Sequence, residues 1–353
     1  MKVLTLAGTR PELIRLSIII EKLDKLVDHT FVYTNQNYDH NLSKIFFKEL
    51  GIRKPDYYFK HKAKSVPEFL SKSMTRFEEI IAKEAPEKIL MLGDTNSGLL
   101  AMIPAKMGIP VYHMEAGNRC RDERVPEEMN RRIIDSFSKY NLPYTENSKQ
   151  NLIMEGYDKN HVFRIGNPIY EVLTRFKEDI DNSKILKTLG IEPGEFVLVT
   201  AHRAENVDDD ESLINIMSAL DYISNSYKVI FSVHPRTRGK LDGFTIPDNL
   251  ILSKPFGLFD FVKLEKSAKV VISDSGTVQE ECCIYGVPSI TIRRTTERQE
   301  TIECGSNILS GTSFPDIKYA FNSVLIRDNK WIPPIEYLAP NVSDTVINIL
   351  LGR

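Results

Sequence analysis

Residues 2–23 read KVLTLAGTRPELIRLSIIIEKL, a short apolar run that ends at Gly8 and leads into a helical pattern. In the second part, apolar side chains recur at the three- and four-residue spacing of a helix with one buried face; they are Leu13, Ile14, Leu16, Ile19, Ile20 and Leu23. A short strand that passes through glycine into an amphipathic helix is the first half of a strand–helix–strand unit. This opening stretch therefore predicts a parallel sheet with crossover helices.

The same alternation runs along the rest of the chain. Further apolar runs lie at residues 30–34, 88–92, 110–114 and 141–145, and a second series lies at 196–200, 228–232, 250–253, 270–273 and 289–292. Runs this short and this rich in Val, Ile and Thr, with helical patterns between them, are typical of parallel strands. The sequence predicts the α/β class, with two Rossmann-like doubly wound domains in tandem.

The border between the two series falls near Gly166-Asn167-Pro168. We predict an N-terminal domain at 1–167, a C-terminal domain at 168–335 and a final helix at 336–353 that closes against the domain pair. Segment 168–188 is charged on one face and is predicted to be a helical connector. A length of 353 residues agrees with two domains of ordinary size.

Composition excludes several kinds of function. With 42% apolar and 27% charged residues the chain is an ordinary globular protein, and its net charge of −2 gives no reason to bind nucleic acid or an anionic membrane. No stretch approaches the roughly 18 apolar residues of a membrane-spanning helix, and the first apolar run is too short for a signal peptide. The cysteines lack zinc spacing. We therefore expect a cytoplasmic protein with reduced, buried cysteines and no metal site.

Two short motifs follow predicted strands and open helices, Gly8-Thr9-Arg10 in the first half and Asp274-Ser275-Gly276 in the second. Small or hydroxyl side chains there leave the amides of the helix N-terminus pointing at whatever lies above them, which is a common setting for an anion. Arg10 can hold a phosphate through two hydrogen bonds, and Arg15 lies about one helical turn further along. One such anion cradle in each half indicates a diphosphate held by both.

Carboxylates also lie at predicted strand ends. Asp94 and Glu115 closely follow apolar runs, and Glu127 opens a predicted helix. Carboxylates that converge on one edge of a sheet can remove and return the proton of a carbon centre. His202, after the first run of the second half, is a candidate proton donor or phosphate ligand. Because no GxGxxG and no GxxxxGK[ST] motif occurs, we expect no bound cofactor and interpret the anion as part of the substrate.

Seven motifs follow one another in a fixed order along the chain. They are GTRPE (8–12), GDT (93–95), HMEAG (113–117), PEEMNRR (126–132), AHRAEN (201–206), DSGTVQEE (274–281) and TTERQE (295–300). Over nearly the whole chain this series closely resembles the non-hydrolysing UDP-N-acetylglucosamine 2-epimerases. The resemblance implies a GT-B-like architecture, in which two Rossmann-like domains face a central cleft, and a UDP-sugar substrate. It implies anti elimination of UDP to a bound 2-acetamidoglucal, followed by re-addition of UDP with a proton delivered to the opposite face. We also expect a homodimer.

The resemblance implies roles for individual residues. Asp94, Glu115 and Glu127 are implied as acid–base groups around the sugar, and which of them serves which face stays open. Glu281 is implied as the ligand of the ribose, and Arg298 is implied to lie near the sugar or phosphate. The residues implied to hold the diphosphate are Arg10, His202, Ser275 and Gly276, with Arg15 as a further substrate-binding residue and His202 also kept as a catalytic candidate.

The chain departs from the usual family wording at three places. Gln36-Asn37-Tyr38-Asp39 stands where family members often carry Gln-His-Arg-Glu, a run associated with a second, regulatory nucleotide-sugar site; Arg15 replaces lysine and Gln299 replaces proline. Loss of the cationic side chain predicts hyperbolic kinetics without activation by UDP-N-acetylglucosamine. Residues 117–128, GNRCRDERVPEE, look more like the branch that forms UDP-N-acetyl-L-fucosamine from its C2 epimer. The substrate stays open between that sugar and UDP-N-acetylglucosamine.

Three other functions compete with this one. A GT-B glycosyltransferase would share the fold, both cradles and Glu281, but would not explain several carboxylates at strand ends. A nucleotide-sugar sensor needs binding residues but not Asp94, Glu115 or Glu127. A hydrolysing 2-epimerase differs only in whether water or UDP attacks the glucal. A UDP-sugar supplied without any acceptor separates the epimerase from the transferase, because only the epimerase turns it over.

Overall fold

The computed structural model describes residues 1–36, 40–61 and 63–352, with the backbone alone for residues 40–44. The chain forms two compact units: unit 1 is Met1–Leu173 together with Leu338–Arg353, and unit 2 is Thr174–Tyr337. The sequence placed its domain borders after residues 167 and 335. In the structure, unit 2 begins at Thr174, and the chain returns to unit 1 at Leu338.

Strands and helices alternate along both units. In the described residues the strands are β1 (Lys2–Ala7), β2 (Asp28–Tyr33), β3 (Tyr57–Tyr58), β4 (Lys88–Leu92), β5 (Val111–Met114), β6 (Tyr140–Leu142), β7 (Phe196–Thr200), β8 (Lys228–Ser232), β9 (Leu250–Ser253), β10 (Val270–Ser273), β11 (Ser289–Thr291) and β12 (Asn307–Leu309). The predicted runs 88–92, 196–200, 228–232, 250–253 and 270–273 coincide with β4, β7, β8, β9 and β10. The sequence analysis missed β3 and β12.

The helices connect successive strands and cover the sheets. They are α1 (Arg10–Leu26), α2 (His40–Glu49), α3 (Val66–Glu84), α4 (Met102–Lys106), α5 (Pro126–Phe137), α6 (Glu146–Met154), α7 (Ile169–Arg175), α8 (Lys177–Asn182), α9 (Ile185–Leu189), α10 (Ala204–Val207), α11 (Asp210–Ser224), α12 (Pro235–Arg238), α13 (Leu258–Ser267), α14 (Gly276–Tyr285), α15 (Gln299–Glu303), α16 (Phe314–Ile326) and α17 (Val342–Leu351). Segment 168–188, predicted as a helical connector, forms the three short helices α7, α8 and α9. None of the helices in the described chain has both the length and the apolar character needed to cross a bilayer.

Each unit is built around a parallel sheet. The strand order is β3-β2-β1-β4-β5-β6 in unit 1 and β12-β11-β10-β7-β8-β9 in unit 2. Counted within each unit, both are the 3-2-1-4-5-6 order of a doubly wound fold, in which ligands bind beyond the strand ends where the order reverses. That switch point lies between β1 and β4 in unit 1 and between β7 and β10 in unit 2. The predicted α/β class is confirmed.

The central strands are apolar because both faces of each sheet are covered by helices. In β7, Val197 and Val199 belong to one apolar cluster of unit 2, while Phe196 and Leu198 belong to the cluster on the opposite face. This alternation leaves no polar side chain inside β7 before Thr200. Groups that can meet a ligand are therefore confined to the residues that follow the strand.

Helix α17 completes unit 1 by packing against α1. Lys22 of α1 donates hydrogen bonds to Ser343 Oγ and Asp344 Oδ1, at 2.7 and 2.5 Å. The Ser343 backbone N–H donates to Glu171 Oε2 at 2.8 Å, and Leu350 is fully buried. The last helix of the chain is thus part of the same core as the first.

Candidate functional site

The turn after β1 lies at the switch point of unit 1. A Cβ atom on Gly8 would lie 2.1 Å from Ser97 Oγ and 2.6 Å from Thr34 Oγ1, so glycine lets the three turns meet without displacement. The two hydroxyls hydrogen-bond each other at 2.6 Å. Helix α1 begins two residues later at Arg10, and its first amides are directed toward the carboxyl edge of the sheet.

Glu12 ties this turn to its neighbour and was not singled out as a site residue by the sequence analysis. Its carboxylate accepts hydrogen bonds from Gly8 N, Thr9 Oγ1 and Thr95 Oγ1 at 2.6, 3.0 and 2.9 Å. Burial raises the pKa of Glu12 to about 7, against the effect of these hydrogen bonds. The spacing Thr-x-x-Glu at a helix start, typical of a capping box, was the available signal.

The two arginines of α1 differ in exposure. Arg10 is half-buried, and its guanidinium carbon lies 5.6 Å from the centre of the Phe46 ring. It can reach an anion above the helix N-terminus. Arg15 is only 2% exposed. Its side chain is therefore buried within unit 1 and offers a substrate very little accessible surface.

Asp94 follows β4 and is held by the helix that Glu127 opens. Its Oδ2 atom lies 2.8 Å from Arg131 Nε, and its carbonyl accepts a hydrogen bond from Asn130 Nδ2 at 2.9 Å. Arg131 also contacts Glu128 Oε2 at 3.0 Å. Burial acts to raise the pKa of Glu128, but the backbone N–H of residue 120 and the Arg131 charge outweigh it and lower the pKa. Arg131 therefore fixes the Asp94 carboxylate from α5.

Glu115 follows β5 in a left-handed backbone conformation, with φ of 69°. Such a conformation is unfavourable for a residue with a side chain and concentrates at functional sites. The Glu115 N–H donates to the Leu142 carbonyl at 3.2 Å, and Asn118 Nδ2 donates to Glu115 Oε1 at 3.3 Å. Glu127 is half-buried at the start of α5, one helical turn before Arg131. The three predicted carboxylates thus lie on adjacent turns and a helix start at one edge of the sheet.

A buried ionic cluster supports the turn that carries Glu115. Asp135 of α5 accepts hydrogen bonds from His113 Nδ1 at 2.8 Å, Arg119 at 2.8 Å and Gly117 N at 3.2 Å. The other ring nitrogen of His113 donates to the Gly93 carbonyl at 2.8 Å. Burial acts to raise the pKa of Asp135, but His113 and Arg119 outweigh it and lower the pKa. The cluster links the turns after β4 and β5, and the sequence analysis missed it.

The switch point of unit 2 is organised by Asp274, directly after β10. Its Oδ2 atom accepts hydrogen bonds from the backbone N–H groups of His202 and Arg203, each at 2.8 Å, and from Asn206 Nδ2 at 3.1 Å. His202 Nδ1 lies 3.0 Å from Asp274 Oδ1. Burial acts to raise the pKa of Asp274, but the His202 ring and the two backbone N–H groups outweigh it and lower the pKa to about 2. Nδ1 faces Asp274, so a ligand would meet His202 at Nε2.

The N-terminus of α14 is the anion cradle of unit 2. Ser275 is its N-cap, and Ser275 Oγ lies 3.1 Å from Thr277 Oγ1. A Cβ atom on Gly276 would lie 2.7 Å from Glu297 Oε1 and 3.8 Å from the Arg298 guanidinium. The lack of a side chain at residue 276 therefore lets the charged loop before α15 approach the first amides of the helix.

That loop brings several arginines to the cradle. Arg298 Nε lies 2.5 Å from Glu280 Oε1, so α14 itself anchors this guanidinium. Glu297 pairs with Arg293 at 2.9 Å and lies 4.0 Å from Arg203. The helix N-terminus, with the Arg298 guanidinium beside it, favours a ligand with negative charge.

Within each unit, most of the predicted residues follow a strand or lie at the start of a helix. In unit 1 these are Arg10, Asp94, Glu115 and Glu127; in unit 2 they are His202, Ser275, Gly276 and Arg298, with Glu281 buried further along α14. Residues 37–39, on which the prediction about a regulatory site depends, lie outside the described residues. Among the described residues, no group of three or more His, Cys, Asp or Glu side chains is arranged to hold a metal ion. All four cysteines are free thiols, and Cys304 is half-buried rather than buried as expected.

Comparisons with known proteins point to one family. A family model described as UDP-N-acetylglucosamine 2-epimerase matches residues 21–351. Over 347 residues the chain is 39% identical to the UDP-N-acetylglucosamine 2-epimerase of Methanocaldococcus jannaschii, with 95% of each chain covered. It is 33% identical over 320 residues to the UDP-2,3-diacetamido-2,3-dideoxy-D-glucuronate 2-epimerase of Pseudomonas aeruginosa, with 89% of each covered. The crystal structure of the M. jannaschii enzyme in complex with UDP-GlcNAc and UDP matches with a TM-score of 0.93 at 36% identity, over 99% of each chain.

Proposed function

Since the chain belongs to the UDP-N-acetylglucosamine 2-epimerase family and is an isomerase, we propose that it inverts carbon 2 of a UDP-linked N-acetylhexosamine. The observation that carries the proposal is the different chemical character of the two switch points. Unit 1 carries the carboxylates of Asp94, Glu115 and Glu127 after strands and at a helix start, and such groups suit proton transfer. Unit 2 carries the N-terminus of α14 with the Arg298 guanidinium beside it, and these groups suit a diphosphate. We therefore assign proton transfer at the sugar to the carboxylates of unit 1, and most of the diphosphate contacts to residues of unit 2.

The nucleotide end uses fixed donors that need little rearrangement. The first N–H groups of α14 and the Ser275 hydroxyl donate to phosphate oxygens, and Glu281 accepts hydrogen bonds from the ribose hydroxyls. Because His202 Nδ1 lies 3.0 Å from Asp274 Oδ1, Nε2 is the ring nitrogen that we assign to the leaving phosphate. The residues assigned to the diphosphate are Arg10, His202, Ser275 and Gly276, with Arg15 and Arg298 as further substrate-binding residues.

The reaction begins with an elimination. A carboxylate takes the proton from C2, the electron pair of that C–H bond forms the C1=C2 double bond, and the C1–O bond breaks to release UDP. The proton at C2 becomes acidic only as the C1–O bond breaks, so stabilisation of UDP and removal of the proton must occur together. In the return step UDP adds to C1 while a second group delivers a proton to the other face of C2. Asp94, Glu115 and Glu127 are the candidates for these two roles.

The substrate stays open between UDP-N-acetylglucosamine and the C2 epimer of UDP-N-acetyl-L-fucosamine. The relatives include an epimerase of a diacetamido-glucuronate, so sugars with other substituents are accepted within the family. A glycosyltransferase is not favoured, because the relatives at high coverage are epimerases. A homodimer in the cytoplasm remains our prediction for assembly and location.

Turnover in D2O tests the proposal directly. With a UDP-N-acetylhexosamine and no acceptor, NMR spectroscopy should show the C2 epimer with one solvent deuterium at C2. Deuterium enters because the proton removed from C2 is replaced by one from the opposite face. An epimerised product that keeps its protium at C2 over repeated turnovers would rule out the elimination, and release of free sugar would favour the hydrolysing reaction.

A further inference from the structure

Two thiols of unit 2, which the proposed mechanism leaves unused, lie in contact. Cys283 is in the last turn of α14, and its Sγ atom lies 3.6 Å from Sγ of Cys304, the residue that follows α15. The sulfurs of a disulfide are about 2 Å apart, so these two need to approach by about 1.5 Å to form one. The adjacent Cys282 belongs instead to an apolar cluster of the unit 2 core, and Cys120 lies in unit 1.

The two thiols differ in accessibility and in acidity. Cys283 is 0% exposed, whereas Cys304 is half-buried. The hydrogen bond between them lowers the pKa of the Cys304 thiol, and the same bond together with burial raises the pKa of Cys283. A thiolate reacts with oxidants much faster than a thiol does, and it must also be reached by them. Cys304 is therefore the sulfur that meets an oxidant first, and Cys283 is placed to complete the bond.

The helices that carry these thiols also carry the anion cradle at their other ends. Helix α14 begins at Gly276, and Arg298 is the N-cap of α15. The Arg298 carbonyl accepts a hydrogen bond from Thr301 Oγ1 at 2.7 Å, and its guanidinium lies 2.5 Å from Glu280 of α14. A shift of α15 relative to α14 is therefore transmitted to the guanidinium beside the cradle.

We propose that a peroxide joins Cys283 and Cys304 in a reversible disulfide, and that this bond weakens the binding of UDP at the N-terminus of α14. The effect on binding rests on the proposed function, which assigns the diphosphate to this cradle. Formation of the disulfide does not depend on that assignment, because it follows from the contact of the two sulfurs and the exposure of Cys304.

The oxidation takes place in two steps. The Cys304 thiolate attacks one oxygen of hydrogen peroxide: an S–O bond forms, the O–O bond breaks, and the leaving hydroxide takes up the proton of the Cys304 thiol as water. Cys283 then gives up its proton and attacks Cys304 Sγ, so that the S–S bond forms, the S–O bond breaks and a second water leaves. Two thiols are thereby oxidised by two electrons, and one peroxide is reduced to two waters.

The disulfide draws the end of α15 toward α14. Arg298, at the other end of this short helix, is then displaced from the position beside the cradle that the thiol form gives it. A guanidinium that no longer meets its phosphate oxygen costs one charge-assisted hydrogen bond. We expect the oxidised protein to bind UDP about ten- to a hundredfold more weakly than the reduced protein.

Peptide mapping tests the bond itself. After treatment with hydrogen peroxide and alkylation of the remaining thiols, mass spectrometry of the wild type should find the peptides of Cys283 and Cys304 joined. Cys282→Ala, the matched control at the adjacent buried thiol, should still form the link, whereas Cys304→Ser should not. Trp331 donates to the Cys283 carbonyl at 2.9 Å, so its fluorescence should change during oxidation of the wild type and stay constant in Cys304→Ser. Circular dichroism checks that both variants fold.

Titration calorimetry with UDP tests the effect on binding, before peroxide, after its removal and after reduction with dithiothreitol. The affinity of the wild type should fall with oxidation and recover with the dithiol. Recovery distinguishes the disulfide from methionine sulfoxide and from cysteine sulfinic acid, which a dithiol does not restore. Cys304→Ser should bind UDP as the reduced wild type does under all three conditions.

Two results would overturn the proposal. One is the absence of the joined peptides after peroxide, and the other is a disulfide-bonded protein that binds UDP as tightly as the reduced one. A reduced wild type without measurable affinity for UDP would instead contradict the proposed function and, with it, the effect on binding. The joined peptides would still be found in that case, because their detection involves no nucleotide.

Discussion

Glu12 and Asp274 are buried carboxyls at the two switch points, and their pKa values move in opposite directions. Burial disfavours the ionised form of both. The donors to Glu12 are a backbone N–H and two threonine hydroxyls, which are neutral, and its pKa rises to about 7. Asp274 faces the His202 ring as well as two backbone N–H groups, and its pKa falls to about 2. The partners, rather than the depth of burial, decide the charge of each.

The raised pKa of Glu12 makes the stability of unit 1 depend on pH. Its neutral form stabilises the fold: the contribution is complete below the ordinary value of 4.5 and is lost as pH rises through about 7. In Glu12→Gln the side chain is neutral at every pH. The free energy of unfolding of this variant, relative to wild type, should therefore rise by about 2–3 kcal/mol between pH 5 and pH 8. Urea denaturation followed by circular dichroism measures the difference.

Glu78→Gln provides the control, because Glu78 is exposed on α3. Its difference from wild type should be the same at both pH values. The packing around Glu12→Gln can be kept, since the Thr9 and Thr95 hydroxyls can turn to accept from the amide. A Glu12→Gln protein whose stability relative to wild type does not change with pH would contradict the assignment of the pKa to Glu12.

Glu115 and Glu127 are assigned to proton transfer, so their loss should affect chemistry more than binding. Glu115→Gln and Glu127→Gln should each lower kcat by roughly two to four orders of magnitude and leave the Kd for UDP nearly unchanged. Arg10→Ala should instead weaken UDP binding, because a charge-assisted contact is removed. Glu123→Gln, exposed before α5, is the matched control and should stay fully active. Near-normal kcat in both Glu115→Gln and Glu127→Gln would show that other groups move the proton.

The turn between β1 and α1 leaves no room for a side chain at residue 8. Because Ser97 Oγ and Thr34 Oγ1 are held by each other, neither can withdraw easily from a Cβ atom placed 2.1 and 2.6 Å away. We expect Gly8→Ala to lower the free energy of unfolding by about 1–3 kcal/mol. Gly239→Ala, with φ of −70° and no atom within 4 Å of the new Cβ, should change it by less than about 0.5 kcal/mol. Thermal denaturation of both variants distinguishes these outcomes, and equal midpoints would mean that the turn adjusts freely.

Elements whose pattern is carried by several consecutive residues could be predicted from the sequence. The run FVLVT gave β7 with its exact bounds because both faces of that strand are buried. Strands β3 and β12 are two and three residues long at sheet edges, too short to show any periodicity. The connector predicted near 168–188 is helical, but it is broken into three helices.

The candidate site residues that follow strands could be proposed from the sequence. The residues that support the site from inside packed helices could not. Asp94, Glu115 and Ser275 follow apolar runs, and parallel strands bring their ends to one edge. Arg131 and Asp135 lie inside α5, and partners of both come from other elements of the fold. A single sequence does not show which face of one helix meets which residue of another, so these supporting groups became visible only in the structure.

At the scale of the whole molecule, the chain builds the same strand order twice and returns to unit 1 at its end. Leu350 is 0% exposed, whereas its neighbour Leu351 is 43% exposed. We expect Leu350→Ala to destabilise unit 1 by about 2–5 kcal/mol through the cavity that it leaves, and Leu351→Ala to have little effect.

The single tryptophan allows the two units to be monitored separately. Trp331 donates to the Cys283 carbonyl at 2.9 Å within unit 2. In urea, Leu350→Ala should shift the transition seen by circular dichroism more than the one seen by tryptophan fluorescence. Equal shifts of the two transitions would mean that the units unfold together.

The return of α17 to α1 also has a consequence for synthesis on the ribosome. Domains generally fold in the order in which they emerge, the N-terminal one first. Here unit 2 is continuous and is complete when Tyr337 has been added, whereas the part of α1 that packs against α17 stays uncovered until Val342–Leu351 has been made. The half of the protein that is made first is thus the last to be finished. During translation, this part of α1 is therefore an apolar surface that a chaperone could protect.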